Sequence, residues 1–159
     1  MTRKRIFAAA ICTFIIVIML VSCAIPEDPI IASLGDYETQ VYFSSGGFQD
    51  YTDYAKYYFQ SAEVTENLWL EKIRETDLPV INKHLDDFEG WIEIYWESDE
   101  IDELVVNYDF DRSIVETGDY IYIDSEESTW EDGHTTLVNY DIYFFDIQSQ
   151  VLYYFHNNI

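Results

Sequence analysis

Asp and Glu supply 31 of the 159 residues, against eight Lys and Arg, so carboxylates are the groups best placed to do chemistry. Their number also weakens them as evidence, since any fold brings some of them together. In "NYDFDRSIVETG" (107–118), Asn107, Asp109 and Asp111 take the first, third and fifth positions of an EF-hand loop. The sixth position needs Gly for the bend and holds Arg112, while the twelfth needs a bidentate Glu and holds Gly118. The stretch therefore reads as a polar strand end running into a turn, and no metal is expected. In "KHLDDFEGW", His84, Asp87 and Phe88 fall near one helical face, and a His with a carboxylate three residues on could begin a metal site. His134 and His156 are far off in sequence, so the pair reads as a solvated helix face. The serines of "FSSGG", "ESDE", "DRS", "SEES" and "QSQ" sit in turn contexts, none beside a base that would activate a nucleophile. A carboxylate pair for glycoside hydrolysis stays open. No Gly-rich phosphate loop is present, and no cofactor is implied. Trp130, in the acidic turn "SEESTWEDGHTT", suits contact with a sugar ring or a partner protein, or folds back onto a sheet edge; Trp69, Trp91 and Trp96 read as core.

The thiol with a defined chemistry is Cys23. Arg3, Lys4 and Arg5 open the chain, residues 6–26 carry no charge, and Glu27 is the first acid. A basic start, an apolar stretch and a small-residue cleavage site are the layout of a secretory signal. The stretch ends in Leu20-Val21-Ser22-Cys23, which resembles the lipobox of bacterial lipoproteins. That resemblance implies a diacylglyceryl group on the Cys23 thiol and cleavage between Ser22 and Cys23. The alternative is an uncleaved transmembrane anchor, because the uncharged run of 21 residues is long enough to span a bilayer. The lipid reading is preferred, since a Cys at this position is rare by chance and two acyl chains anchor stably where one does not. In either case the basic flank places the rest of the chain on the extracytoplasmic face.

After Cys23 lie five basic and 31 acidic residues, a formal charge of −26. A nucleic-acid phosphate binder needs clustered Lys and Arg and is excluded. Acidity with few aromatics would suggest disorder, but 14 Tyr, 10 Phe and four Trp can furnish a core. A mature chain starting at Cys23 holds one cysteine and no internal disulfide.

These observations divide the chain into a signal peptide (1–22), a lipidated Cys with a proline-extended tether (23–36) and one domain (37–159). Residues 38–43, "ETQVYF", suit a short strand. Phe48, Tyr51, Ala55, Tyr58 and Ala62 step by three and four, which predicts a helix over 48–62 with Ser45 as its cap. "TENLWLEKI" (65–73) suits a short extended stretch. Leu78, Ile81, Leu85, Phe88, Ile92 and Tyr95 predict a second helix, capped by Thr76 and continuing past Gly90 through "WIEIYW". From Leu104 on, "LVVNYDF", "DYIYID", "TLVNYDIYFF" and "VLYYFHN" predict four strands, the last two joined by "DIQSQ" as a hairpin. The expected fold class is α+β, two helices followed by a four-stranded antiparallel meander. The paired aromatics Tyr143–Phe145 and Tyr153–Phe155 require either cover on both sheet faces or an exposed aromatic patch.

"GDYIYIDSEES…NYDIYFFDIQSQVLYYFHNNI" together with "FQDYTDYAKYYF" resembles a group of small, uncharacterised lipoproteins of Gram-positive bacteria. The likeness implies no activity and no site residues. The expectation is a membrane-anchored, non-catalytic interaction module with an unknown protein or polymer partner. Two other classes stay in view, an extracellular hydrolase using a carboxylate pair and an acidic sensor or inhibitor of a basic partner.

Overall fold

A computed structural model describes residues 28–46, 50–97, 102–129 and 133–159. Helix α1 (Pro29–Ala32) leads into the hairpin of β1 (Thr39–Gly46) and β2 (Tyr51–Tyr58), then the two-residue β3 (Glu71–Lys72). Helices α2 (Leu78–Trp96) and α3 (Glu103–Asn107) and a 3-10 turn at Arg112–Ile114 follow. The chain closes with β4 (Tyr120–Thr129), β5 (Thr135–Asp146) and β6 (Val151–Asn158). The six strands form one antiparallel sheet in the order β1-β2-β6-β5-β4-β3.

The expected arrangement of two helices and a four-stranded meander is wrong in two places. The helix predicted over 48–62 is strand β2, lying between β1 and β6. Tyr51, Thr52, Tyr54, Tyr57 and Tyr58 are β-favouring residues, and Thr52, Asp53, Tyr54 and Ala55 are all buried, so both faces of the strand are covered. A strand buried on both sides loses its alternation, and the three-and-four spacing of its apolar residues is then a coincidence. Ser45 caps no helix there; its hydroxyl donates to Asp102 Oδ2. Gly46 closes the hairpin at φ 107°, where a Cβ would lie 2.4 Å from the Asp50 carbonyl oxygen.

The second error is "LVVN", expected to open a strand and folded as α3. Asp102 caps it by accepting from Leu104 N–H at 2.8 Å, and Leu104 and Val105 are buried. Helix α2 forms as expected and runs past Gly90 through "WIEIYW". Its N-cap is Asp77 rather than Thr76, and Asp77 makes no side-chain cap bond. Asp77 instead accepts from the backbone and guanidinium of Arg74.

Both faces of the sheet carry a core. Ile81, Leu85 and Phe88 of α2 pack on Tyr54, Ile142, Phe144 and Phe155. On the opposite face Tyr143, Phe145 and Leu152 lie under Ile30, Ile31, Leu34 and Phe59. The stretch expected as tether is thus folded from Asp28 onward. Asp28 caps α1 through Oδ1 and accepts from the Tyr143 hydroxyl at 2.5 Å through Oδ2. Of the expected core tryptophans, Trp96 is 71% exposed and Trp69 is 41% exposed. Trp130, Ser22 and Cys23 lie outside the described residues. Among the described residues no helix is long and apolar enough to cross a membrane.

Candidate functional site

Asn67 decides the shape of the sheet's far edge. Its Oδ1 accepts from Trp69 N–H at 2.8 Å and from Leu70 N–H at 3.0 Å, which bends the backbone away from β4. Leu70 then buries in the core opposite α2, and only Glu71 and Lys72 pair with β4, opposite Ile121 and Tyr120. The bend pushes out a ridge in which Leu68 is 95% exposed and Trp69 leans edge-on against Tyr122 at 6.0 Å.

A cleft of about 480 Å³ lies on one side of this ridge, walled by Trp69, Val80, Ile81, Ile121, Tyr122 and Ile123. A second, of about 670 Å³, lies on the other side over Ser33, Ala62 and Asn67. Lys72 lines the first cleft and, among the described residues, is the one Lys or Arg without an acidic partner. Lys56 is paired with Asp109 at 2.6 Å, Arg74 with Asp77, Lys83 with Glu127 at 2.5 Å, and Arg112 with Asp86 and Glu89. The ridge was not legible in the sequence, because an apolar Leu-Trp step reads as core. The one available signal was Asn67 beside it, a residue that bonds to backbone two or three positions on.

A second constellation crosses the middle of the sheet. The register sets Ser44, Asp53, His156, Asp141 and Asp124 side by side on five strands, on the face opposite α2. His156 Nδ1 donates to Asp141 Oδ1 at 2.9 Å, and the Tyr154 hydroxyl donates to the same oxygen at 2.7 Å. The imidazole is flanked by Tyr51, centroids 4.9 Å apart, and stacked with Tyr154 at 6.3 Å. Burial works against the Asp141 charge, but His156 and Tyr154 outweigh it and hold the carboxyl below its usual range. His156 Nε2 and Asp53 Oδ1 are buried without hydrogen-bond partners.

This row is not a catalytic triad. Ser44 stands two strands from His156, about 10 Å at ordinary strand spacing, too far for a nucleophile to touch its base. Nor do Asp53 and Asp141 stand side by side, since His156 on β6 lies between them in the register and is bonded to Asp141. Acid catalysis by a carboxyl needs a raised pKa inside a shared pocket. Burial does push up Asp87 and Asp119. Asp87 sits on α2 facing Tyr140, however, while Asp119 caps Ile147 and Glu116 N–H in a turn. Neither lines either large cleft.

His84 and Asp87 are not a solvated helix face. His84 is buried, donates through Nδ1 to Val80 carbonyl oxygen at 2.9 Å, and meets Tyr140 edge-on at 5.9 Å. His84 Nε2, Asp87 Oδ2, the Tyr140 hydroxyl and Asn157 Nδ2 face this α2–sheet seam without well-formed hydrogen bonds. The calcium-loop positions scatter. Asp109 accepts from Lys56 and Tyr54, Asp111 caps Ser113, and Asn107 donates back to Glu103. Among the described residues no three His, Cys, Asp or Glu side chains gather to hold a metal.

No family model, no curated protein and no solved structure matches the chain.

Proposed function

We propose that this protein is a lipoprotein held on the extracytoplasmic face of the cell membrane through Cys23, and that its domain works by binding a protein or polymer partner. The Leu68–Trp69 ridge carries the binding half of this reading. An exposed Leu alone needs no explanation, but a Leu beside a Trp, set between two clefts, has the form of an anchor for a partner surface. The basic start, the apolar run and Leu20-Val21-Ser22-Cys23 support the anchor half. Asp28 is already tied to the sheet through Tyr143. Five residues reach at most about 18 Å, so a lipid on Cys23 holds the α1 side of the domain close to the bilayer.

Two measurements test the two halves. Mass spectrometry of the N-terminus from native membranes, with Cys23→Ala as control, should find a chain beginning at a diacylglyceryl cysteine. A precursor-length chain with a free Cys23 thiol removes the lipid anchor. A photo-cross-linker replacing Trp69 should trap one defined partner in the envelope, where the same probe at Ile94, exposed on α2, should not. Equal yields from both positions would remove the ridge as a contact.

A further inference from the structure

We infer that the free edge of β4 accepts an extended segment of a basic partner protein, added as a strand in line with β3. The inference rests on the binding role proposed above and names the surface and the partner chemistry. β4 runs from Tyr120 to Thr129, yet β3 covers only Tyr120 and Ile121. From Tyr122 to Thr129 no described strand lies on the outer side, so this stretch presents unpaired N–H and C=O groups.

The cleft beside Trp69 lies where β3 would continue. An antiparallel extension past Glu71 would stand opposite Tyr122 and then Ile123, and the Asn67 bend carries this chain's own backbone out of that line. The two walls belong to opposite sides of the sheet. Trp69 rests on Tyr122, whose side chain faces away from α2, while Val80 and Ile81 of α2 lie beside Ile121 and Ile123. The slot is therefore open along the strand direction, with Trp69 and Tyr122 on one flank and Val80, Ile81 and Ile123 on the other, and its lining also includes the charged Glu71, Lys72, Arg74 and Asp77. Strand addition uses this geometry, with main-chain hydrogen bonds giving affinity and alternate side chains filling pockets.

Charge selects the occupant. Beyond the slot the edge carries Asp124 and Glu126 on the face opposite α2 and Glu127 on the α2 face, where Lys83 already neutralises it. Lys72 stands at the β3 end of the slot, so the basic residues of an incoming strand belong beyond it, where the strand meets uncompensated acids on one side, with Val80, Ile81 and Ile123 on the other. The matching segment alternates Lys or Arg with apolar residues. A second copy of this chain fits badly, since antiparallel β4–β4 pairing sets these acids against themselves, and like charges directly opposite destabilise a sheet.

The test uses the full-length protein in a neutral detergent and a short, end-capped peptide alternating lysine and valine. The peptide should bind saturably, and N-methylation of alternate backbone amides should abolish binding, because it removes the donors a strand needs. Asp124→Lys with Glu126→Lys should weaken binding about ten-fold or more. Glu93→Lys with Glu97→Lys, on the exposed end of α2, should not. Undiminished binding of the N-methylated peptide, or equal weakening by the α2 pair, would show unspecific attraction to an acidic protein and overturn the inference. So would absence of binding, or a concentration-dependent dimer from which the peptide releases monomer. Cross-linking at Trp69 in cells that survives any of these results leaves the binding role standing and removes only the β4 edge.

Discussion

The His156 row and the β4 edge are made of the same materials, acids beside aromatic rings, on one face of one sheet. In the middle, Asp53 is 5% and His156 9% exposed, and Asp141 is held by His156 and Tyr154. At the edge, Asp124 and Glu126 are exposed, and among the described residues no strand lies outside them. The difference is one of strand position. A central strand has neighbours on both sides, so its acids become internal constraints. An edge strand keeps half its backbone groups and its acids for something outside the chain. The row is thus tied up inside the fold, the edge is the surface proposed above for recognition, and four measurements bear on that division.

The largest effect needs no mutation. Burial, reinforced by neighbouring carboxylates, pushes up the hydroxyls of Tyr54, Tyr108, Tyr140, Tyr143 and Tyr154, and raises Tyr57 and Tyr153 to about 12. The folded state therefore holds these protons more tightly than the unfolded chain, whose tyrosines ionise near 10.0. Stability is fully present below that pH and falls as pH rises through it and on through the folded values. Tyrosinate absorbance and loss of circular dichroism should appear together in one alkaline transition. Gradual ionisation of most tyrosines with the fold intact would contradict their burial.

Asp141→Ala should cost about 2–3 kcal/mol in urea at neutral pH, because it leaves buried His156 and the Tyr154 hydroxyl without their acceptor. The Asp141 carboxyl sits below its ordinary value in the fold. Its contribution is thus present above that ordinary value and lost as pH falls through the folded one, so mutant and parent curves should converge in strong acid. A loss below about 0.5 kcal/mol would place the row with the surface.

Asp87→Asn should raise Tm by a smaller amount at neutral pH. Burial is the main cause of the raised carboxyl, with Tyr140 and Trp91 pulling the other way. The stability linked to its proton is present in acid and lost as pH rises, and the amide removes that loss. A gain that persists unchanged below the ordinary carboxylate range would point to packing instead.

The smallest effect lies at the edge. Asp124→Lys with Glu126→Lys should leave stability within about 0.5 kcal/mol while altering binding. A loss comparable to that of Asp141→Ala would erase the distinction between centre and edge.

Strands β1, β4, β5 and β6 and helix α2 were readable because their patterns repeat over several residues in contexts with one dominant packing solution. β2 and α3 were not. "YTDYAKYYF" has apolar residues at helical spacing only because it is covered on both faces, a fact set by β1, β6 and the two core layers. "LVVN" has β-branched residues, but the Asp102 cap and the burial of Leu104 and Val105 outweigh their weak strand preference. The candidate site was hidden for the same reason. Trp69 is exposed because Asn67 turns the chain two residues earlier, and no hydropathy pattern records that bond.

The sequence by itself determined the properties that add up along the chain. These are the acidity after Cys23, the basic and apolar start ending in Leu-Val-Ser-Cys, the aromatic supply for a core, and the hairpin of β5 and β6. The tertiary structure alone decided which acids are buried and which are open, that 51–58 is a strand, and that among the described residues β4 has no outer neighbour beyond Ile121. Charge and hydropathy are summed over residues and survive without a fold, whereas exposure and pairing are relations between distant segments. Asp53, His156, Asp141 and Asp124 become neighbours only when β2, β6, β5 and β4 lie side by side.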